Sequence, residues 1–145
     1  MEKFVIASAA LAWFLAQGIK TLLALRRGRH FDPLHALTAT GGMPSSHAAF
    51  VTGLCVAIFH STGLSLPFVL SLALAILTIR DALVIRTNLD RHAHVLNQVL
   101  ATGVAGAASA QPPLPTNAGH RPHEALCGMA LGLLAVLILV QLRLF

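Results

Sequence analysis

Charged residues and tyrosine are scarce in this sequence, and each scarcity excludes a class of protein. Only 10% of the 145 residues are charged, well below the roughly 25% that is typical of soluble domains. Hydrophobic residues make up 56% of the chain, so the composition is that of a membrane protein. Tyrosine is absent, and no lysine or arginine run is interleaved with aromatic residues. The net charge of +5 is therefore not that of a protein that binds nucleic acid by base stacking.

Cysteine is also scarce. The two cysteines, Cys55 and Cys127, lie in apolar helical sequence, where a thiol usually behaves as a small core residue. They lack C-x-x-C spacing, so the sequence predicts neither a disulfide nor a zinc site from them. The N-terminal apolar run is too long for a simple signal peptide and has no convincing cleavage site, so we interpret it as a retained transmembrane helix.

Four apolar segments predict membrane helices, at about residues 4–25, 45–60, 65–85 and 123–145. At about 20 residues per spanning helix, the chain length allows one small bundle. Residues 86–110 form a mixed segment that starts amphipathic and ends rich in alanine and glycine, and the sequence leaves open whether it spans. We expect a single domain over residues 1–145, an all-α integral membrane bundle of about four to five helices.

Polar residues cluster where these segments begin and end. If the first three helices cross in alternation, the end of the first, the start of the second and the end of the third share one membrane face, and the last helix can begin there. Charged groups at membrane depth are costly and usually mark a site, so we expect a polar site at this face. The residues that would converge there are Lys20, Arg27, Ser46, His47, Asp81, Arg86, His120 and Glu124.

Cations beside helix N-termini favour an anionic ligand, because free N–H groups and the helix dipole attract negative charge. Phosphate makes the fullest use of arginine and lysine donors. Two histidines at such a pocket indicate turnover as well as binding, since one can act as nucleophile and the other as general acid. His120 and Glu124 are four residues apart. They share a helix face if the last helix begins early enough, and the carboxylate could then fix the imidazole tautomer.

Three motifs resemble those of the type-2 phosphatidic acid phosphatase and vanadium haloperoxidase superfamily. Residues 41–50, GGMPSSHAAF, are similar to its P-S-x-H motif, and residues 20–27, KTLLALRR, to its lysine-x6-arginine motif. Residues 119–132, GHRPHEALCGMALG, resemble the third motif. Shorter words at Arg80–Ala82, Ile85–Arg86 and Val95–Asn97 make the pattern most similar to the divergent branch, which consists of small bacterial and plastid membrane proteins.

The resemblance implies a metal-independent phosphatase without a cofactor. It implies that His120 attacks phosphorus, that His47 protonates the leaving group and that Glu124 orients His120. The phosphate-binding part of the site would consist of Lys20, Arg27, Ser45, Ser46, Asp81 and Arg86. The implied substrate is a membrane lipid phosphate or diphosphate, of the polyprenyl phosphate, phosphatidic acid or phosphatidylglycerophosphate type.

The sequence departs from the superfamily pattern in three places. Arg27 is followed by Gly28 where the wider superfamily has proline. The acid of the third motif is Glu124 rather than aspartate, as is common in the divergent branch. The serine-arginine pair expected six residues before the third-motif histidine is absent. Arg86 takes the place of this arginine by its position at the end of the third helix, and Arg121 is the alternative.

Two other functions stay open. A degenerate relative could hold lipid phosphate without hydrolysing it. The histidines of residues 92–94 and 120–124 could contribute to a metal site, although no local spacing supplies a full ligand set.

The expected location follows from the charge distribution. The positive-inside rule favours the cytoplasmic side for the cationic face, and with it the site, of a multi-pass protein of the bacterial inner membrane. A phosphate site would need the same cations on either side, so the external face stays open. The expected partners are the lipid-phosphate substrate and the bilayer, with no nucleic acid, and a homo-oligomer is left open.

Overall fold

A computed structural model of the chain describes residues 1–26, 28, 42–101, 112–116 and 119–142. The regular secondary structure in these ranges is entirely helical. A single π-helical turn, Asp81–Ile85, joins the third helix to the fourth. The α-helices are α1 (Glu2–Arg26), α2 (Ser46–Thr62), α3 (Leu66–Arg80), α4 (Arg86–Ala101) and α5 (Pro122–Gln141). The prediction of a small all-α bundle is confirmed.

Serine and glycine set the boundaries of α2. The hydroxyl of Ser45 accepts a hydrogen bond from the Ala48 N–H at 3.3 Å, which satisfies one of the N–H groups that a helix start leaves unpaired. Helix α2 therefore begins at Ser46, as predicted. It ends before Gly63, whose φ of 63° lies in the left-handed region that glycine adopts without steric cost.

Helix α2 is the centre of the bundle and packs against α1, α3 and α5. These contacts are made by small residues that let the backbones approach closely. Gly53 of α2 lies against Ala12 of α1, and Gly132 of α5 lies against the backbone of Ala49. Small residues at helix interfaces are typical of packing in lipid, where close approach rather than the hydrophobic effect drives association.

Large apolar side chains point away from the bundle. The buried core consists mainly of alanine, whereas many leucines and isoleucines of the same helices are exposed, including Leu70, Ile76, Leu77, Leu133 and Leu137. Within the described ranges, three helical segments are long and apolar enough to cross a membrane: α1, the continuous stretch Leu66–Ala101 and α5. This arrangement places apolar side chains in lipid, and the chain is an integral membrane protein.

The helix that starts at Leu66 is longer than the sequence predicted. It continues through the π turn to Ala101 over 36 residues, or about 54 Å, because no glycine or proline interrupts residues 68–101. This length exceeds the roughly 30 Å of a bilayer's hydrocarbon core, so α4 continues beyond the apolar part of the helix. Residues 102–110 of the mixed segment lie outside the described residues. Helix α5 ends at Gln141, and residues 143–145 are also outside them.

Candidate active site

Four elements bring polar residues to one end of the bundle. Helix α1 contributes Lys20 near its end, α2 contributes His47 in its first turn, and the π turn lies between Asp81 and Arg86. The segment before α5 contributes His120. The charges of four side chains act on the His120 imidazole: Glu124, Lys20, His47 and Arg86. Lys20, His47 and Arg86 lie 34 to 100 positions from His120 in the sequence, so the packing of the bundle is what brings them to His120.

The side chain of His120 is 4% exposed. Neither ring nitrogen has a hydrogen-bond partner among the described residues, although buried polar groups are normally paired. Burial is the main cause that lowers the pKa of His120; the Glu124 carboxylate opposes this shift, and the positive charges of Lys20 and Arg86 add to it. The neutral imidazole is therefore favoured, and its nitrogen lone pair is free to react.

Backbone hydrogen bonds place His120 outside the helix that follows it. The His120 N–H donates to the Ala82 carbonyl oxygen in the π turn at 3.1 Å. The Gly119 N–H donates to Asp90 Oδ2 on α4 at 2.8 Å. His120 is thus held by its backbone against the junction of α3 and α4.

The side-chain contact between Glu124 and His120 that the four-residue spacing suggested is not formed. Helix α5 begins at Pro122, so His120 precedes the helix and the two residues do not share a helix face. Glu124 Oε2 instead accepts a hydrogen bond from the Arg121 N–H at 3.0 Å, as the acid of a capping box does. In this structure Glu124 acts on His120 through its charge.

The N-terminus of α2 is anchored to α5. Ser45 and Ser46 are both buried. The Ser45 N–H donates to the Glu124 carbonyl oxygen at 3.0 Å, and the Ser45 hydroxyl caps α2. Both groups of Ser45 therefore make hydrogen bonds within the bundle. His47, the next residue but one, is half-buried and lies within electrostatic reach of Arg86 and Lys20.

Asp81 and Arg86 form an ion pair across the π turn, with 2.7 Å between Asp81 Oδ2 and Arg86 Nε. Residues five apart point about 140° away from each other on an α-helix of 3.6 residues per turn. The wider π turn brings them together, and the Arg86 N–H also donates to the Asp81 carbonyl oxygen. The Asp81 carboxylate is therefore paired with the Arg86 guanidinium across the turn.

The two candidates for the third-motif arginine differ in position. The charge of Arg86 acts on His120, and its side chain is 31% exposed. Arg121 is exposed at the start of α5. Arg27, the predicted partner of Lys20, lies outside the described residues, so its place in the site stays a prediction.

An apolar cavity of about 410 Å³ adjoins His47 between α1 and α2. Trp13 and Phe14 of α1 line one side, and Phe50 and Val51 of α2 line the other. Phe14 and Phe50 are exposed on the outer surface of the bundle, where the membrane helices face lipid. The cavity therefore connects the lipid-facing surface to the imidazole of His47.

Metal-ligating side chains do not cluster in the part of the chain that the structure describes: no group of three or more His, Cys, Asp or Glu residues could hold an ion there. Of the histidines that suggested a metal site, His92 and His94 are exposed on α4. His94 Nε2 lies 3.2 Å from the Gln98 side-chain nitrogen.

The sequence assigned no role to the residues that hold the His120 segment. Asp90 carried no motif signal, and Ala82 offers only a backbone oxygen. Gly119 packs against α4 so closely that an added Cβ would lie 2.7 Å from Thr87 Oγ1. Asn97 belongs to the short V-L-N word of the resemblance, but the resemblance did not indicate what Asn97 does.

Comparisons with known proteins agree with the motifs. The model of a family described as the Divergent PAP2 family matches residues 1–135. The chain is also similar to the uncharacterized membrane protein YuiD of Bacillus subtilis (strain 168), with 32% identity over 152 residues that cover 96% of this chain and 95% of the relative. No solved structure shows a significant match.

Proposed function

Because the chain belongs to the divergent PAP2 family, we propose that it is a metal-independent membrane phosphatase that hydrolyses a lipid-linked phosphate monoester or diphosphate. The observation that carries the proposal is the environment of His120. Its buried imidazole has no hydrogen-bond partner among the described residues, and the charges of Lys20 and Arg86 reach it. A neutral imidazole is a nucleophile, and the two cations favour a phosphate beside it.

The proposed reaction has two steps and a phosphohistidine intermediate. A ring nitrogen of His120 attacks phosphorus, so that a P–N bond forms while the P–O bond to the leaving group breaks. His47, whose protonated form the bound phosphate anion would stabilise, gives its proton to the leaving oxygen. Water then attacks phosphorus, neutral His47 takes a proton from it, and the P–N bond breaks. Inorganic phosphate leaves, and both histidines return to their starting states.

Some residues of the proposed site would bind phosphate directly, and others would hold those residues in place. Lys20, Arg86 and Arg27 would supply positive charge to the phosphoryl oxygens, and Ser46 with the first N–H groups of α2 would supply hydrogen bonds. Asp81 would orient the Arg86 guanidinium through their ion pair. Ser45 would contribute by fixing the start of α2, since its hydroxyl accepts from Ala48. Glu124 would orient His120 only after releasing the Arg121 N–H.

The cavity beside His47 supports a lipid-linked substrate over a soluble one. Its lining is apolar apart from the imidazole, and it borders the lipid-facing surface. A hydrocarbon chain could lie between Trp13 and Phe50 while its phosphate reaches His120. Polyprenyl phosphates, phosphatidic acid and phosphatidylglycerophosphate all have such chains, and the site would lie at the cytoplasmic face of the bacterial inner membrane.

The test is phosphate release by the purified chain in nanodiscs, measured for these three lipid phosphates and for a short-chain soluble phosphate. We expect the parent chain to prefer a long-chain substrate and His120→Gln to lower kcat by about 10³-fold or more. A reaction with ³²P-labelled substrate, quenched in alkaline SDS, should trap an alkali-stable, acid-labile phosphoprotein only when His120 is present. The matched control is His60→Gln, because His60 contacts Phe4 at the other end of the bundle. Unchanged hydrolysis by His120→Gln would contradict the proposed nucleophile.

A non-catalytic protein that binds lipid phosphate is the second candidate. It is favoured by one observation, namely that the Glu124 carboxylate accepts a hydrogen bond from the Arg121 N–H and makes none to the His120 ring. Binding of phosphatidic acid to the parent chain, with no phosphate release from any lipid in the panel, would support this candidate over the phosphatase.

A further inference from the structure

One face of α4 holds the backbone of the segment that leads to His120. Asn97 makes two hydrogen bonds to Leu114: its Nδ2 donates to the Leu114 carbonyl oxygen, and its Oδ1 accepts from the Leu114 N–H, both at 2.9 Å. Asp90 Oδ2 accepts from the Gly119 N–H at 2.8 Å. Asp90 and Asn97 are seven residues apart, close to two helical turns, so both lie on the same face of α4.

The π turn adds a third point of attachment. In a regular α-helix the Arg86 N–H would donate to the carbonyl oxygen four residues earlier, which belongs to Ala82. Here it donates to the Asp81 oxygen, five residues earlier, as in a π-helix. The Ala82 oxygen accepts instead from the His120 N–H at 3.1 Å. The π turn thus provides an acceptor for the residue that carries the reactive imidazole.

The segment itself has little internal support. Residues 112–116 have no regular secondary structure, and three of the five are proline, which has no N–H to donate. The segment lies close to α4 at Gly119, where an added Cβ would come within 2.8 Å of Thr87 Cα. The position of its described residues, 112–116 and 119–120, therefore depends on the attachments to α4 and the π turn.

We infer that Asp90 and Asn97 are positioning residues that hold residues 112–116 and 119–120 so that the His120 imidazole stays in the phosphate site. The inference rests on the proposed function, in which His120 is the nucleophile. Neither ring nitrogen of His120 is hydrogen-bonded to a described residue, so its orientation depends on where its backbone is held. A displacement of about 1 Å can lower a rate by about 10²-fold.

The experiment compares Asp90→Ala, Asp90→Asn and Asn97→Ala with the control Asn88→Ala, an exposed residue of the same helix. Hydrogen–deuterium exchange followed by mass spectrometry measures the amides of residues 112–121, and phosphate release gives kcat and KM. We expect Asp90→Ala and Asn97→Ala to speed exchange in this segment by about tenfold. Asp90→Ala should lower kcat by about 10²-fold while KM changes by less than about twofold.

Asp90→Asn separates positioning from folding, because the amide keeps an oxygen that can accept from the Gly119 N–H. We expect it to recover most of the exchange protection and most of kcat, and Asn88→Ala to match the parent. If Asp90→Ala leaves exchange at Gly119 and His120 unchanged, or speeds it without lowering kcat, the inference is overturned.

The exchange measurement also keeps this inference distinct from the proposed function. If the parent chain hydrolyses none of the lipids, the proposed function fails. Exchange, together with the rate at which diethyl pyrocarbonate modifies His120, still shows whether Asp90 holds the segment. Faster modification in Asp90→Ala than in Asn88→Ala would support the positioning role, and equal rates would overturn it.

Discussion

Replacing Gly128 with alanine tests whether the close contact between α2 and α5 assembles the site. An added Cβ at Gly128 would overlap the Ser45 backbone oxygen and lie 3.0 Å from Ala48 Cβ and 3.2 Å from the Ala49 nitrogen. Two of these three atoms belong to the backbone of the α2 N-terminus, which cannot rotate aside as a side chain can. We therefore expect the alanine to push α2 and α5 apart.

The cost can be worked from the contacts that separation disturbs. Overpacking a well-packed interior costs about 1–3 kcal/mol. The hydrogen bond from the Ser45 N–H to the Glu124 carbonyl oxygen, 3.0 Å long, lies at the same contact, and its loss adds about 1 kcal/mol. The preference of a helix interior for alanine over glycine returns about 0.5–1 kcal/mol. The expected net loss in the free energy of unfolding is about 1–3.5 kcal/mol.

Activity should fall by more than this loss of stability alone implies. Helix α2 carries His47, and the segment before α5 carries His120, so separation of the helices moves the proposed acid away from the proposed nucleophile. A shift approaching 1 Å would lower kcat by up to about 10²-fold. We expect Gly128→Ala to lower both the thermal unfolding midpoint in detergent and the rate of phosphate release.

Gly18→Ala is the matched control. Gly18 is an exposed residue within α1, and an added Cβ there would have nothing within 4 Å. The same substitution should therefore leave kcat within the error of the parent value and raise the free energy of unfolding by about 0.5–1 kcal/mol. If Gly128→Ala were as stable and as active as Gly18→Ala, the contact between α2 and α5 would not be what brings the two histidines together.

Two further predictions concern the charges around His120. The Glu124 charge raises the pKa of His120, although burial lowers that pKa by more. Because the nucleophile must be neutral, Glu124→Gln should move the acid limb of the kcat/KM profile to lower pH. An acid limb that stayed in place or moved to higher pH would contradict this effect of the Glu124 charge. Arg86→Gln should lower kcat/KM for phosphate release by about 10²-fold or more. Arg121 is exposed, so Arg121→Gln should change kcat/KM by less than about threefold. If Arg121→Gln had the larger effect, the third-motif role would belong to Arg121.

Local sequence features were enough to predict most of the helices. Long apolar runs indicated α1, α2 and α5 because a membrane helix must present apolar side chains to lipid along its length. Ser45, next to Pro44, marked the start of α2 because a serine hydroxyl can cap a helix. The predicted end of the third helix at Ile85 was wrong, because hydrophobicity ends there but helical backbone does not. Nothing in that stretch breaks the helix before Ala101.

The relation between Glu124 and His120 shows where sequence spacing was insufficient. A separation of four residues implies a shared face only inside a helix, and α5 begins between the two residues, at Pro122. The π turn was equally hidden, because its wider hydrogen bonding leaves no distinct residue pattern. It became visible through the Asp81–Arg86 pair, which a regular α-helix would hold apart.

By itself, the sequence determined that the chain is a helical membrane bundle and which polar residues are available at one of its faces, because hydropathy and motif spacing are local properties. Only the tertiary structure decided how His120 is held. The His120 N–H donates to Ala82, and the N–H of the neighbouring Gly119 donates to Asp90. Each of these hydrogen bonds joins residues 29 or more positions apart. Such contacts depend on how the helices pack, and here packing is decided by close approaches at glycine and alanine that carry no chemical signal of their own.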